Sequence, residues 1–169
     1  EVPVLQGVKH DVESARAIAK KMGVKDKNIR YYKDEELTLA GMRKAFNDLN
    51  ERVAENDQVF IYYSGHGAQL PVYGESGEPD RLDETLVPWD FNWDRPETHI
   101  TDKEFRQFYS RLPFGDKPSD SAQLSVILDC CHAAKSALEF TAQTLAIDLP
   151  QADQAMKVDC LCSSRTAEV

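Results

Sequence analysis

The chain has 169 residues, 41% of them hydrophobic, which suits one globular domain with a core of its own. A net charge of −9 argues against a nucleic-acid partner, since phosphate binding calls for clustered Lys and Arg. No run approaches the roughly 18 apolar residues that cross a bilayer, and no basic-then-apolar leader follows Glu1, so a cytoplasmic protein with no membrane partner is expected.

Val12, Ala15, Ile18, Ala19 and Met22 recur at helical spacing and predict a helix over 11–22, stopped by Gly23. Asn28 to Tyr32 reads as a short strand. Thr38 is placed to cap a helix carrying Met42, Ala45, Phe46, Leu49 and Val53 and ending near Asn56. The apolar strand Gln58–Tyr63 follows. The stretch 67–99, punctuated by Pro71, Gly74, Gly77, Pro79, Pro88 and Pro96, reads as loop with one small hairpin around Leu70–Tyr73. Trp89 and Trp93 are read as packing this loop.

Charge gathers in the same region. Residues 75–104 hold ten acidic groups against Arg81, Arg95 and Lys103, which makes them either a solvated acidic loop or a surface that draws cations and basic peptides. Thr101, with Glu104 three residues on, predicts a capping box opening a helix whose apolar face is Phe105, Phe108, Tyr109 and Leu112. A strand at Leu124–Leu128, a helix from Ala133 to about Phe140 and a strand at Lys157–Ser163 complete the series.

Strands alternating with helices imply one α/β domain over residues 1–169, with a mostly parallel central sheet flanked by helices on both faces. So little precedes the first helix or follows the last strand that flanking strands are expected from outside this chain, from a C-terminal region or a second chain. The four cysteines suggest no disulfide scaffold: Cys130 and Cys131 are adjacent and bridge only with strain, and Cys160 and Cys162 lack a zinc-ligand spacing. A reducing compartment follows.

Two apolar strands run into reactive residues. Val59-Phe60-Ile61-Tyr62-Tyr63 leads to Ser64-Gly65-His66-Gly67, and Leu124-Ser125-Val126-Ile127-Leu128 leads to Asp129-Cys130-Cys131-His132. In parallel sheets reactive groups gather beyond the carboxyl ends of strands, and a thiol needs a neighbouring imidazole to become a competent nucleophile. The backbone N–H groups of Gly67 and Cys131 are natural donors to an oxyanion. Read singly, the cysteine is a small buried hydrophobe and the histidine a turn residue; the paired motifs favour a thiol–imidazole dyad. His10, His99 and His132 lack ligand-like neighbours.

Tyr63-Ser64-Gly65-His66-Gly67 followed by Asp129-Cys130-Cys131-His132 resembles the catalytic core of the metacaspases, caspase-like cysteine peptidases that include the bacterial orthocaspases. The likeness covers nearly the whole chain as a p20-like region, with Gly7-x-x-x-Asp11, Asp83-Glu84-x-x-x-Pro88-x-Asp90 and Cys160-Leu161-Cys162-Ser163-Ser164 also matching. The Gln-Ala-Cys motif of caspases is absent, and Ala133-Ala134 stand where the family usually has Ser-Gly.

The resemblance implies a caspase-like three-layer α/β/α fold, with His66 as general base and acid, Cys131 as nucleophile and Cys130 without a catalytic part. It implies a pocket of Asp11, Ser64 and Asp129 that takes Arg or Lys before the scissile bond, and hence basic peptides or proteins as partners. The plainer readings of those acids are helix capping for Asp11 and a backbone hydrogen bond for Asp129. No cofactor is required by the dyad. Calcium, which many relatives need, would draw on Asp83 and Asp102, with Thr101 where the family often has another Asp and Glu139 the nearest acid after Cys131. Many relatives also cut themselves after a basic residue, for which Lys135, Lys157 and Arg165 are available. The competing function is a catalytically silent caspase-fold interaction module, favoured only by Ala133-Ala134.

Overall fold

The computed structural model describes residues 4–73, 79–95, 97–114, 121–131 and 156–162, the last of these by its backbone. Four parallel strands form the main sheet: β1 (Ile29–Lys33), β2 (Gln58–Ser64), β6 (Gln123–Asp129) and β7 (Met156–Cys162), in the order β1-β7-β2-β6. A smaller antiparallel sheet joins β3 (Gly67–Tyr73), β4 (Pro79–Leu86) and β5 (Ile100–Thr101). The helices are α1 (Val8–Lys21), α2 (Leu39–Arg52) and α3 (Asp102–Tyr109).

β2 is buried along its whole length, as a strand covered on both faces must be. Phe60 and Tyr62 pack with Val8, Ala15 and Ala19 of α1. Val59, Ile61 and Tyr63 face the opposite way, into the main core with Met42, Ala45, Phe46 and Leu49 of α2 and Phe105, Phe108 and Tyr109 of α3. Helices therefore cover both faces, in the caspase-like α/β arrangement. The period-2 alternation of β2 decides which helix layer each of its side chains meets.

Helix boundaries depart from the sequence expectation in instructive ways. α1 opens at Val8 rather than Asp11, so Gly7 is its N-cap and Asp11 lies within the helix. It ends as expected: Gly23 takes φ +82°, and Val24 and Gly23 N–H groups donate to Ala19 and Lys20 oxygens. Thr38 caps α2 through the Gly41 N–H, and Asp90 Oδ1 accepts a second orphan donor, Leu39 N–H, at 2.7 Å. α2 stops at Arg52 instead of near Asn56, because Val53 turns extended and Asp57 Oδ2 accepts from Ala54 N–H to close a turn. At α3 only half of the expected capping box forms. Thr101 Oγ1 accepts from Glu104 N–H, but the Glu104 carboxylate is held by both arms of Arg43, at 2.6 and 3.1 Å.

The largest difference lies in 67–86, read as loop with a hairpin confined to Leu70–Tyr73. β3 and β4 are instead paired from Gly67 opposite Leu86 out to Tyr73 opposite Pro79. Pro71 argued against a strand, but β3 is an edge strand of its sheet, where a missing N–H is tolerated. The helix expected over Ala133–Phe140, the residues His132, Ala133, Ala134, Lys135, Glu139 and Arg165, and the end of the last strand at Ser163 lie outside the described residues. Among the described residues no helix is long and apolar enough to cross a membrane.

Candidate active site

β2 and β6 run in register, with Tyr63 opposite Leu128 and Ser64 opposite Asp129, so Gly65-His66-Gly67 and Cys130-Cys131 leave the sheet side by side. Gly65 N–H donates to Asp129 O at 3.3 Å. The approach is closer at Gly67: a Cβ there would lie 1.9 Å from the carbonyl oxygen of Cys131 and 3.2 Å from Cys130 Sγ. Only glycine fits so close a backbone contact. It brings the residue after His66 directly against Cys131.

The two adjacent cysteines meet different surroundings. Cys130 packs against the α2/α3 core, and burial, reinforced by Cys131, Asp129 and Glu84, pushes its thiol up to about 12. It is a neutral thiol at physiological pH. Cys131 is exposed at the strand tip. Gly67 is also free of the ladder on its donor side. Val87 N–H donates to His66 O at 3.1 Å, which makes Gly67–Leu86 the pair type whose members exchange no hydrogen bonds, so Gly67 N–H points away from β4.

Two tyrosines that the sequence reading treated as strand core support this tip. The Tyr63 hydroxyl donates to His66 O at 2.7 Å and lies 3.3 Å from Val87 O, tying the histidine's backbone to the end of β4. A Cβ on Gly65 would come within 2.7 Å of that hydroxyl, so the second glycine flanking His66 also serves a packing need. On the opposite face, the Tyr62 hydroxyl donates to Asp129 Oδ2 at 3.2 Å. The available signal was the chemistry of tyrosine: at a buried strand tip its hydroxyl must find a partner.

Asp11, Ser64 and Asp129 come together on the α1 face. Ser64 Oγ donates to Asp11 Oδ2 at 2.6 Å, and Asp129 sits opposite Ser64 in the register. Among the described residues neither carboxylate has an ion-pair partner. Capping does not account for Asp11, which lies inside α1, and among the described residues the Asp129 side chain accepts from Tyr62.

A depression of about 390 Å³ opens beside the histidine, lined by His66, Gly67, Ala68, Gln69, Val87, Phe91 and Trp93. Phe91 is buried and forms a T-shaped pair with Trp93 at 4.8 Å between ring centroids, yet Trp93 remains 47% exposed. Trp93 thus packs against Phe91 and leaves about half of its surface in solvent.

Asp83 and Asp102 do not converge as calcium ligands. The Asp83 carboxylate is buried and paired with Lys103 Nζ at 2.8 Å, whereas Asp102 Oδ1 accepts from Lys103 N–H at its own helix start. Calcium wants six to eight oxygens, and among the described residues no three His, Cys, Asp or Glu side chains are grouped to hold a metal.

A parallel sheet with helices on both faces, bringing a histidine tip beside a cysteine tip, defines a domain of caspase-like build. Comparison with known proteins agrees: the family described as "Metacaspase, peptidase C14 domain" matches residues 2–140. Metacaspase-6 of Arabidopsis thaliana is 32% identical over 137 residues, covering 76% of this chain and 33% of that protein. Metacaspase-4 of the same plant is 31% identical, over 76% of this chain and 29% of the relative, and Metacaspase-1 of Coccidioides immitis 37% identical, over 67% and 20%. The chain belongs to the metacaspase family. Its match spans a third or less of the length of these relatives.

Proposed function

We propose that the protein is an endopeptidase that cleaves peptide bonds after Arg or Lys. The observation that supports this reading is the close approach of Gly67 to the Cys131 carbonyl, near the carboxylates of Asp11 and Asp129, which among the described residues have no ion-pair partner. The substrate's basic side chain enters between Asp11 and Asp129, where guanidinium or ammonium gains charge-assisted hydrogen bonds that an uncharged residue forgoes. Cys131 Sγ, its proton taken by His66, attacks the carbonyl carbon. The oxyanion that forms is met by the N–H groups of Gly67 and Cys131. As the C–N bond breaks, His66 returns the proton to the leaving amine and a thioester remains on Cys131. Water, deprotonated by His66, then releases the acid and restores the thiol. No step runs through a metal.

Peptides of the form Arg-X and Lys-X, offered beside the matching Asp-X and Gln-X set, test the reading, with calcium and with chelator in parallel arms. Cleavage only after the basic residues is expected, lost in Cys131→Ala and retained in Cys130→Ala. A wild-type protein that cleaves none of them supports the silent interaction module instead. Activity that vanishes in chelator and returns with calcium would show that the working enzyme needs the metal.

A further inference from the structure

We propose that the depression beside His66 is the subsite for the residue that follows the scissile bond, and that it accepts an apolar or aromatic side chain. The inference rests on the peptidase reading above and adds the second half of its specificity. Three observations converge on it.

The first is the parity of β2. Tyr62 and Ser64 share the α1 face with Asp11 and Asp129, whereas Tyr63 faces the α2/α3 layer and its hydroxyl reaches Val87 O on the wall of the depression. The loop forming the rest of that wall is anchored on the same side, through Trp89 N–H to Leu37 O and Leu39 N–H to Asp90. The acidic pocket and the depression therefore open on opposite faces of the sheet, with the strand tips between them. Consecutive side chains of an extended peptide also point opposite ways, so a chain crossing the tips with its basic residue on the α1 face turns the next one towards the depression.

The second observation decides between the two neighbours of the basic residue. His66 lines the depression, and His66 is the group that hands a proton to the leaving amine. That amine belongs to the residue after the scissile bond, which places this residue on the histidine's side.

The third is chemistry. In the most acidic stretch of a chain of net charge −9, the depression is walled by Gly67, Ala68, Gln69, Val87, Phe91 and the half-exposed Trp93, and among the described residues His66 is the one ionisable side chain in its lining. The lining is mostly apolar, and an apolar side chain covers Trp93 and is covered by it.

The experiment uses internally quenched peptides identical except at the position after Arg, filled with Phe, Leu, Gly, Asp or Lys. Wild-type kcat/KM is expected to be about tenfold higher for Phe or Leu than for Gly or Asp, the discrimination a modest apolar pocket supplies. Trp93→Ala should bring that ratio close to one. Trp93→Arg should turn the preference towards Asp, a gain that a misfolded variant cannot imitate. Cleavage after Arg with no preference at the next position, or a preference that neither Trp93 variant alters, overturns the subsite and leaves the peptidase reading standing. Failure to cleave any of the five peptides overturns both.

Discussion

The two faces of the β2 tip differ by one residue in register and by everything in chemistry. On the α1 face Tyr62, Ser64, Asp11 and Asp129 form a polar cluster whose two carboxylates have no ion-pair partner among the described residues. On the α2/α3 face Tyr63 and Cys130 pack into apolar surroundings, and burial raises the Cys130 thiol to about 12. Pleating alone sorts them, since neighbouring side chains of a strand point to opposite layers. A single strand thus presents charge recognition on one side and an apolar wall on the other, with Gly65-His66-Gly67 passing between. Just beyond the end of β6, Cys130 packs against the α2/α3 core while Cys131 beside it is exposed.

The comparison breaks most severely at Gly67, where the faces meet. Gly67→Ala drives a methyl into the Cys131 carbonyl, and a displacement of about an ångström in a catalytic pair costs on the order of a hundredfold in rate. Assays on an Arg peptide should show that loss in kcat, whereas Gly7→Ala, with open space at its Cβ, should leave activity unchanged.

A smaller effect separates the faces. Asp129→Asn should lower kcat/KM for Arg and Lys peptides by roughly ten- to a hundredfold, through loss of a charge-assisted contact, and Asp11→Asn should behave alike. Uncharged substrates should gain relative to basic ones; equal loss on both would assign these acids a structural role instead.

The smallest effect compares the tyrosines. Tyr63→Phe removes the hydroxyl that holds His66 O and should cost about 1–3 kcal/mol in urea unfolding, with a fall in kcat. Tyr62→Phe releases Asp129 and should act on KM for basic substrates. Matching effects on the same parameter would deny the division of labour between faces.

Much of this was legible before any coordinates. Apolar periodicity located the three helices and the strands at 29–33 and 58–64, because burial on a helix or strand face leaves a repeat in the chain. The paired strand-end motifs pointed to His66 and Cys131, because their chemistry depends on residue type and on a place at the strand tip. The β3–β4 hairpin escaped, since a proline's cost depends on whether its strand is central or at an edge, a property of the assembled sheet. So did the roles of Tyr62 and Tyr63, whose spellings are identical and whose partners are chosen by the face each one meets. The amino-acid order by itself determined which groups stand at the strand tips. Only the tertiary structure decided which side each one looks to, because burial, pairing and close approach are set by neighbours that lie far away along the chain.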